Sequence, residues 1–187
     1  GEALSERYLA AGWGRRVFTW HEAADDRLFR PHPEIRKRDH LVWVGNWGDD
    51  ERSAEIMAFL VEPVRALGLR ATVHGVRYPD HALAALGRAG ITYGGSIANA
   101  DVPFAFARHR VTVHIPRRPY VEALPGIPTI RMFEALASGI PLVSAPWNDA
   151  EGLFRPGRDF LFARDGGEMG GHLRSILEDE DFARSLA

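Results

Sequence analysis

Cysteine is absent from the 187 residues of this chain. Its absence excludes disulfide frameworks, thiolate zinc sites and thiol nucleophiles, and it fits a reducing compartment. Long apolar runs are missing too. The longest ones, such as Ile56 to Val61, are far too short to cross a bilayer, and no secretory signal opens the chain. We therefore expect a cytoplasmic protein without a transmembrane segment.

An excess of one charge is also missing. Lys and Arg number 23 against 25 Asp and Glu, a formal net charge of −2, and no long basic run occurs. Nothing concentrates the positive field that binding to a phosphate backbone requires, so nucleic acid is not an expected partner. The G-x-G-x-x-G and Gly-Lys-Ser/Thr motifs are absent as well. A dinucleotide-dependent hydride-transfer enzyme and an ATPase are therefore not indicated.

Short apolar runs alternate with segments of helical periodicity along the chain. The length of the chain suits one compact domain with an appended segment. The predicted strands are Leu41 to Val44, Ala71 to Val76, Ile91 to Tyr93, Val111 to Ile115, Pro141 to Ser144 and Phe160 to Phe162. The predicted helices are one that ends by Gly68 with a kink near Glu62, then Asp80 to Leu86, Pro103 to Arg108, Thr129 to Ser138, and one or two between Glu168 and Ala187. This alternation requires crossover connections. The predicted fold is α/β, a doubly wound, mostly parallel, Rossmann-like sheet.

The carboxyl ends of the strands are where such a sheet gathers its ligands. The loops there contain glycines, which let a ligand approach the backbone, and arginines, which suit phosphate oxygens. The candidate binding residues in these loops are Gly45, Asn46, Trp47, Arg77, Gly94, Gly95, Arg117 and Arg118. His74 and His114 also lie near strand ends. His109 and His114 are five residues apart and point to opposite faces of a strand, which argues against a shared metal.

The most informative stretch runs from Pro125 to Ser144 and reads Pro-Gly-Ile-Pro-Thr-Ile-Arg-Met-Phe-Glu-Ala-Leu-Ala-Ser-Gly-Ile-Pro-Leu-Val-Ser. It predicts a loop, a helix, a tight stop and a buried strand, and it resembles the donor-nucleotide signature of GT-B glycosyltransferases. The resemblance implies that Glu134 binds the ribose hydroxyls of a nucleotide sugar. It also implies that the loop and the helix start face the diphosphate, through Pro128, Thr129 and Ile130.

Two further stretches extend the resemblance. Residues 23–31, Ala-Ala-Asp-Asp-Arg-Leu-Phe-Arg-Pro, are similar to the linker between the acceptor and donor domains of these enzymes. Residues 1–31 are accordingly expected to be the end of an acceptor domain and the linker, and residues 32–187 the carboxyl-terminal donor-binding domain. Among these enzymes, the sequence most resembles the branch related to spore maturation protein CgeB. This similarity rests on Arg131-x-x-Glu134, Trp147, Leu153-Phe154 and Pro156-Gly157.

The function that the resemblance implies is glycosyl transfer from a nucleotide-diphosphate sugar, with a UDP type favoured. Negative charge builds on the leaving diphosphate, and arginines with a helix amino terminus can stabilise it. Arg131 and Arg118 are the expected catalytic residues, with Arg117 beside them. No cofactor and no metal are expected. The expected partners are the donor and the amino-terminal acceptor domain of the same protein, with the acceptor undefined, so the isolated chain is expected to bind nucleotide with little or no transfer activity.

The departures from the signature keep other interpretations open. Gly126 stands where the family usually has a first Glu, and Asn46 to Asp50 lacks the family's basic pair. A noncatalytic scaffold on the same fold is therefore an alternative, and a nucleotide-sugar epimerase or hydrolase is another. Arg131 and Glu134 also fit an exposed intrahelical pair, worth about 0.2 to 0.5 kcal/mol. Arg117 and Arg118 fit a solvated loop equally well.

Overall fold

Six parallel strands form one sheet in the computed structural model, which describes residues 1–124 and 126–187. Pro125, the first residue of the signature stretch, lies outside the described residues. The strands are β1 (Asp39–Val44), β2 (Ala71–His74), β3 (Ile91–Tyr93), β4 (His109–His114), β5 (Leu142–Ser144) and β6 (Leu161–Phe162). Their order across the sheet is β3-β2-β1-β4-β5-β6, and each neighbouring pair is parallel.

Helices connect these strands. They are α1 (Glu2–Ala10), α2 (Ser53–Ile56), α3 (Glu62–Leu67), α4 (Asp80–Arg88), α5 (Val102–Arg108), α6 (Arg118–Glu122), α7 (Ile130–Ala137), α8 (Gly166–Glu178) and α9 (Glu180–Ser185). A π-helical turn, Met57–Val61, joins α2 to α3, and a 3-10 turn, Asn99–Asp101, precedes α5. Within the described residues, no helix is long and apolar enough to span a membrane.

Alternate residues of each strand pack on opposite faces of the sheet. On β1, Leu41 and Trp43 join a core with α2, α3, α4 and α8, and Val42 and Val44 join a second core with α5 and α7. Strand side chains alternate between faces, so a strand buried on both sides is apolar throughout. Helices cover both faces of the parallel sheet, which confirms the predicted doubly wound α/β fold.

Pro63 does not break its helix. The π-helical turn ends at Val61 and α3 begins at Glu62, so Pro63 falls in a first turn, where its missing amide hydrogen costs little. In place of the predicted kink near Glu62, the chain changes helix type at that residue.

Several other boundaries differ from the prediction, and the end of β2 and the Pro-rich stretch are two of them. β2 ends at His74 and not at Val76, because Gly75 has a φ of 153° and its backbone passes directly against the carbonyl of Gly45. The Pro-rich stretch of residues 116–128, predicted as a loop, contains the short helix α6, which has Pro119 in its first turn.

The strand order reverses between β1 and β4. From β1 the chain adds β2 and β3 on one side of the sheet, and from β4 it adds β5 and β6 on the other side. The loops that leave β1 and β4 therefore diverge to opposite faces and leave a crevice between them. In open α/β sheets this switch point is the usual ligand site. Gly45 and Ile115, the first residues after the two strands, lie on its two sides.

Candidate functional site

A cleft of about 450 Å³ opens at this switch point. Its walls are the ends of β1 and β4, the start of α7 with the preceding loop, and residues 20–22 of the amino-terminal segment. Glu151 holds that segment in place, with its carboxylate 2.8 Å from His21 Nε2 and accepting a 2.8 Å hydrogen bond from the amide of Glu2. The cleft is thus formed by parts of the chain that are far apart in sequence.

Seven of the thirteen candidate residues from the sequence line this cleft. They are Gly45, Asn46, Arg117, Pro128, Thr129, Ile130 and Arg131. The other six lie outside it. They are Trp47, Arg77, Gly94, Gly95, Arg118 and Glu134. His114 lines the cleft as well, and His74 does not.

The start of α7 forms one wall of the cleft. Thr129 occupies the N-cap position with extended backbone angles, and its side chain makes no capping hydrogen bond. Met132 and Ala135 on the same helix are buried in the second core, which fixes the side of the helix that faces the cleft. The amides of Ile130 and Arg131 have no acceptor among the described residues. The helix therefore presents its positive dipole end and unpaired N–H groups to the cleft.

Arg131 and Glu134 form a buried ion pair one turn apart on α7. The Arg131 side chain is 31% exposed and lines the cleft, whereas Glu134 is 2% exposed and faces Arg131 inside the fold. Burial raises the pKa of Glu134 even though the guanidinium of Arg131 opposes that shift. This placement differs from both expectations: the carboxylate does not open onto the cleft for a ribose, and the pair is not an exposed one.

Arg117 and Arg118 point in different directions. Arg117 lines the cleft, and its Nε donates a 2.8 Å hydrogen bond to Glu51 Oε1. Arg118 donates through Nη2 to Glu55 Oε1 at 3.1 Å, and its amide donates to Glu51. Arg118 therefore anchors the start of α6 on α2, and only Arg117 is placed to meet a ligand.

Trp47 lies in the core and not over the cleft. It is 1% exposed, and its indole Nε1 donates to Asp50 Oδ1 and Ser53 Oγ, both at 2.9 Å. The expectation that Trp47 is a binding residue is not met, because burial of its large apolar ring outweighs its position in a glycine-rich loop.

Arg77, Gly94 and Gly95 shape neighbouring loops. Arg77 has a φ of 58° and an exposed guanidinium 4.0 Å from Asp49 Oδ1. Gly94 packs under the ring of His74, where a Cβ would collide, and the carbonyl of Gly95 accepts a 2.9 Å hydrogen bond from the amide of Gly75. All three lie outside the cleft, and Gly95 supports the turn that brings Gly75 to it.

Arg52 is a cleft residue that the sequence did not reveal. Its guanidinium donates to the carbonyl oxygens of Ile115 at 2.5 Å and Asn46 at 2.6 Å, and it lies 5.4 Å from the centroid of the Trp43 ring. Its Nε is buried without a partner among the described residues. Burial lowers the pKa of Arg52, which nonetheless stays charged. In the sequence, Arg52 lies two residues beyond the loop of residues 46–50, which lacks the basic pair of the family.

His114 is the second buried polar group of the cleft. Its Nδ1 lies 2.9 Å from Ser144 Oγ, its Nε2 lies 3.0 Å from Thr129 Oγ1, and the ring of Trp147 packs edge-on against it. Burial lowers the pKa of His114 to about 3, and the charge of Arg52 acts in the same direction. The imidazole is therefore neutral at physiological pH. No group of three or more His, Asp or Glu suited to a metal occurs in the described part of the chain.

Residues 52–187, which contain Arg52, Arg117 and all of α7, match the family described as glycosyl transferase-like. The chain belongs to this glycosyl transferase-like family. No curated protein matches the sequence. The family match confirms the resemblance to glycosyltransferases that the signature stretch carries.

Solved glycosyltransferases share the fold of this glycosyl transferase-like chain. Sucrose-phosphate synthase from Thermosynechococcus elongatus is 17% identical with a TM-score of 0.72, over 97% of this chain and 49% of its own. T4 phage BGT, solved with UDP and Mn²⁺, is 13% identical with a TM-score of 0.66, over 90% of this chain and 44% of its own. The pneumococcal O-GlcNAc transferase GtfA, solved with UDP and GlcNAc, is 13% identical with a TM-score of 0.64, over 99% of this chain and 38% of its own. The fold is that of one half of a GT-B glycosyltransferase, and the chain spans less than half the length of these three proteins.

Proposed function

We propose that this chain is the donor-binding domain of a GT-B glycosyltransferase and that its cleft binds a nucleotide-diphosphate sugar. The observation that carries the proposal is the convergence of Arg131, Arg117 and the unpaired amides at the start of α7 on one cleft at the switch point of the sheet. Guanidinium groups and a helix amino terminus are both suited to phosphate oxygens.

The diphosphate is the part of the ligand that these groups would meet. In glycosyl transfer the bond between the anomeric carbon and the phosphate oxygen breaks, and the electron pair stays on the departing diphosphate. An acceptor oxygen forms the new bond and loses its proton. Arg131 and the amides of Ile130 and Arg131 would stabilise the growing charge. In this proposal Glu134 acts through Arg131 by holding its guanidinium at the cleft wall. Arg118 does not contact the diphosphate in this proposal, because its guanidinium is hydrogen-bonded to Glu55 outside the cleft.

A UDP donor is the favoured type. UDP is present in the structures of T4 phage BGT and GtfA, two of the proteins that share this fold. The remaining half of the enzyme, an amino-terminal domain that binds the acceptor, is a further part of the proposal. Residues 1–31 would be the end of that domain and the linker. The branch related to spore maturation protein CgeB is the proposed subgroup, supported by Arg131, Glu134 and Trp147.

One observation favours a noncatalytic scaffold as the second candidate. Gly126 has a φ of 84° and packs so closely on Ala150 that a side chain there would collide with it. Position 126 therefore cannot hold the family's first Glu without a change in the loop. A scaffold would keep the fold and the buried ion pair but would have no affinity for a nucleotide.

Calorimetric titration of the chain with UDP, GDP and ADP tests the proposal. We expect one of them to bind, and we expect Arg131→Gln and Arg117→Gln to weaken that binding by about tenfold each, since each removes a charge-assisted hydrogen bond. Arg65→Gln is the matched control, because Arg65 is exposed on α3 away from the cleft. No binding of any of the three at millimolar concentration would favour the scaffold instead.

A further inference from the structure

The start of α7 lacks the cap that its sequence offers. Thr129 stands at the N-cap, where a threonine oxygen ordinarily accepts a hydrogen bond from an amide two or three residues on. Here its Oγ1 lies 3.0 Å from His114 Nε2 and caps nothing. The amide of Arg131, two residues on, consequently has no acceptor among the residues that the structure describes, and the amide of Ile130 has none either.

The protons of this network can be assigned one by one. Ser144 Oγ donates its hydrogen to the carbonyl of Ala145 at 2.8 Å, so it can only accept from His114 Nδ1. A neutral imidazole that carries its hydrogen on Nδ1 has a bare Nε2. Thr129 must then donate its hydroxyl hydrogen to Nε2. Burial and the nearby charge of Arg52 both favour this neutral ring.

We infer that His114 is a positioning residue, which holds the Thr129 hydroxyl away from the first turn of α7 and so keeps the amide of Arg131, beside that of Ile130, open to the diphosphate of a ligand. The inference rests on the proposed function. A second observation points to the same anion: the buried Nε of Arg52, in the wall of the same cleft, also has no acceptor among the described residues. Buried N–H groups without a partner are rare in folded proteins, and the Nε of Arg52 in the cleft wall is one of them.

Loss of the imidazole acceptor should let the Thr129 side chain cover the Arg131 amide. Without a partner at Nε2, the Thr129 side chain can rotate about its Cα–Cβ bond and accept from an amide of α7, as N-cap threonines do. The diphosphate must then displace that cap in order to bind. The expected cost is a fivefold to tenfold loss of affinity, which is the size of one N-cap hydrogen bond.

The experiment compares His114→Leu with His114→Gln by calorimetric titration with UDP, GDP and ADP. Both variants remove the imidazole at similar volume, but only glutamine supplies an oxygen that can accept the Thr129 hydrogen. We expect the leucine variant to bind five- to tenfold more weakly and the glutamine variant to stay within threefold of the unaltered chain. In the Thr129→Ala background, where no cap can form, His114→Leu should change affinity by less than twofold.

Several results would overturn the inference. If His114→Leu weakens binding equally in the Thr129→Ala background, or if glutamine is as weak as leucine, His114 acts through packing alone. If the unaltered chain binds a nucleoside diphosphate and His114→Leu leaves its affinity unchanged, the inference fails while the proposed function stands. If the unaltered chain binds none, both fail.

Histidine ¹⁵N chemical shifts of the unaltered chain give a test that needs no variant. We expect His114 to carry its hydrogen on Nδ1 and to have an unprotonated Nε2. The opposite tautomer would contradict the proton assignment, and the inference with it.

Discussion

The backbone of Gly75 packs directly against the carbonyl oxygen of Gly45, at the point where the loops after β2 and β1 meet beside the cleft. Gly75 has a φ of 153°, and a Cβ at this position would collide with that oxygen. The amide of Gly45 in turn donates a 2.8 Å hydrogen bond to the carbonyl of His74. These contacts hold the two loops at the distance that leaves the cleft open.

Gly75→Ala should therefore lower the free energy of unfolding by about 2 kcal/mol, because the added methyl group forces the two loops apart and strains the backbone. Gly87→Ala is the matched control, since position 87 lies in α4 with open space around it. That change should leave stability unaltered or raise it by up to about 1 kcal/mol. Urea unfolding of both variants measures the difference. Equal effects at the two positions would contradict the close packing at Gly75.

Arg131 and Glu134 should behave as one unit toward a nucleoside diphosphate. Arg131 lines the cleft and Glu134 contacts it from inside the fold. We expect Arg131→Gln and Glu134→Gln each to weaken binding by about tenfold, and the double variant to be no weaker than about tenfold, because both changes act through the same guanidinium. Calorimetric titration of the three variants gives the coupling. A loss of about a hundredfold in the double variant would instead mean that Glu134 contacts the nucleotide separately, as a ribose acceptor would.

His114 should make the stability of the chain depend on pH. Burial holds its pKa at about 3 in the folded chain, against about 6.5 when unfolded. Between these values the unfolded chain binds one more proton, so the free energy of unfolding falls as the pH drops below about 6.5. His114→Gln removes the imidazole that takes up this proton. The fall between pH 6 and pH 4.5 should be shallower in the variant, by up to about 1.4 kcal/mol per pH unit.

Urea unfolding at several pH values, for the unaltered chain and His114→Gln, measures that slope. The other buried histidine of β4, His109, also has its pKa lowered by burial, but it is present in both proteins and cancels in the comparison. Parallel curves for the two proteins would contradict a buried neutral His114.

The local pattern was enough to predict the fold and the start of α7. Alternation of apolar strands with amphipathic helices implied crossovers and hence a parallel sheet. The signature stretch predicted the helix of residues 129–138, one residue longer at each end than α7. Both rest on interactions between residues close in sequence, which is why they can be read along the chain.

The full composition of the cleft could not be obtained in this way. Arg52 reaches the end of β4 only because β4 lies beside β1, and strand order is set by packing between distant segments. Trp47 and Glu134 carry groups suited to a ligand, yet burial of an indole ring and pairing with Arg131 turned them inward. The chemical groups of a side chain are known from the sequence. The direction in which the side chain points depends on the residues that pack against it or bind it, and those residues come together only in the folded chain.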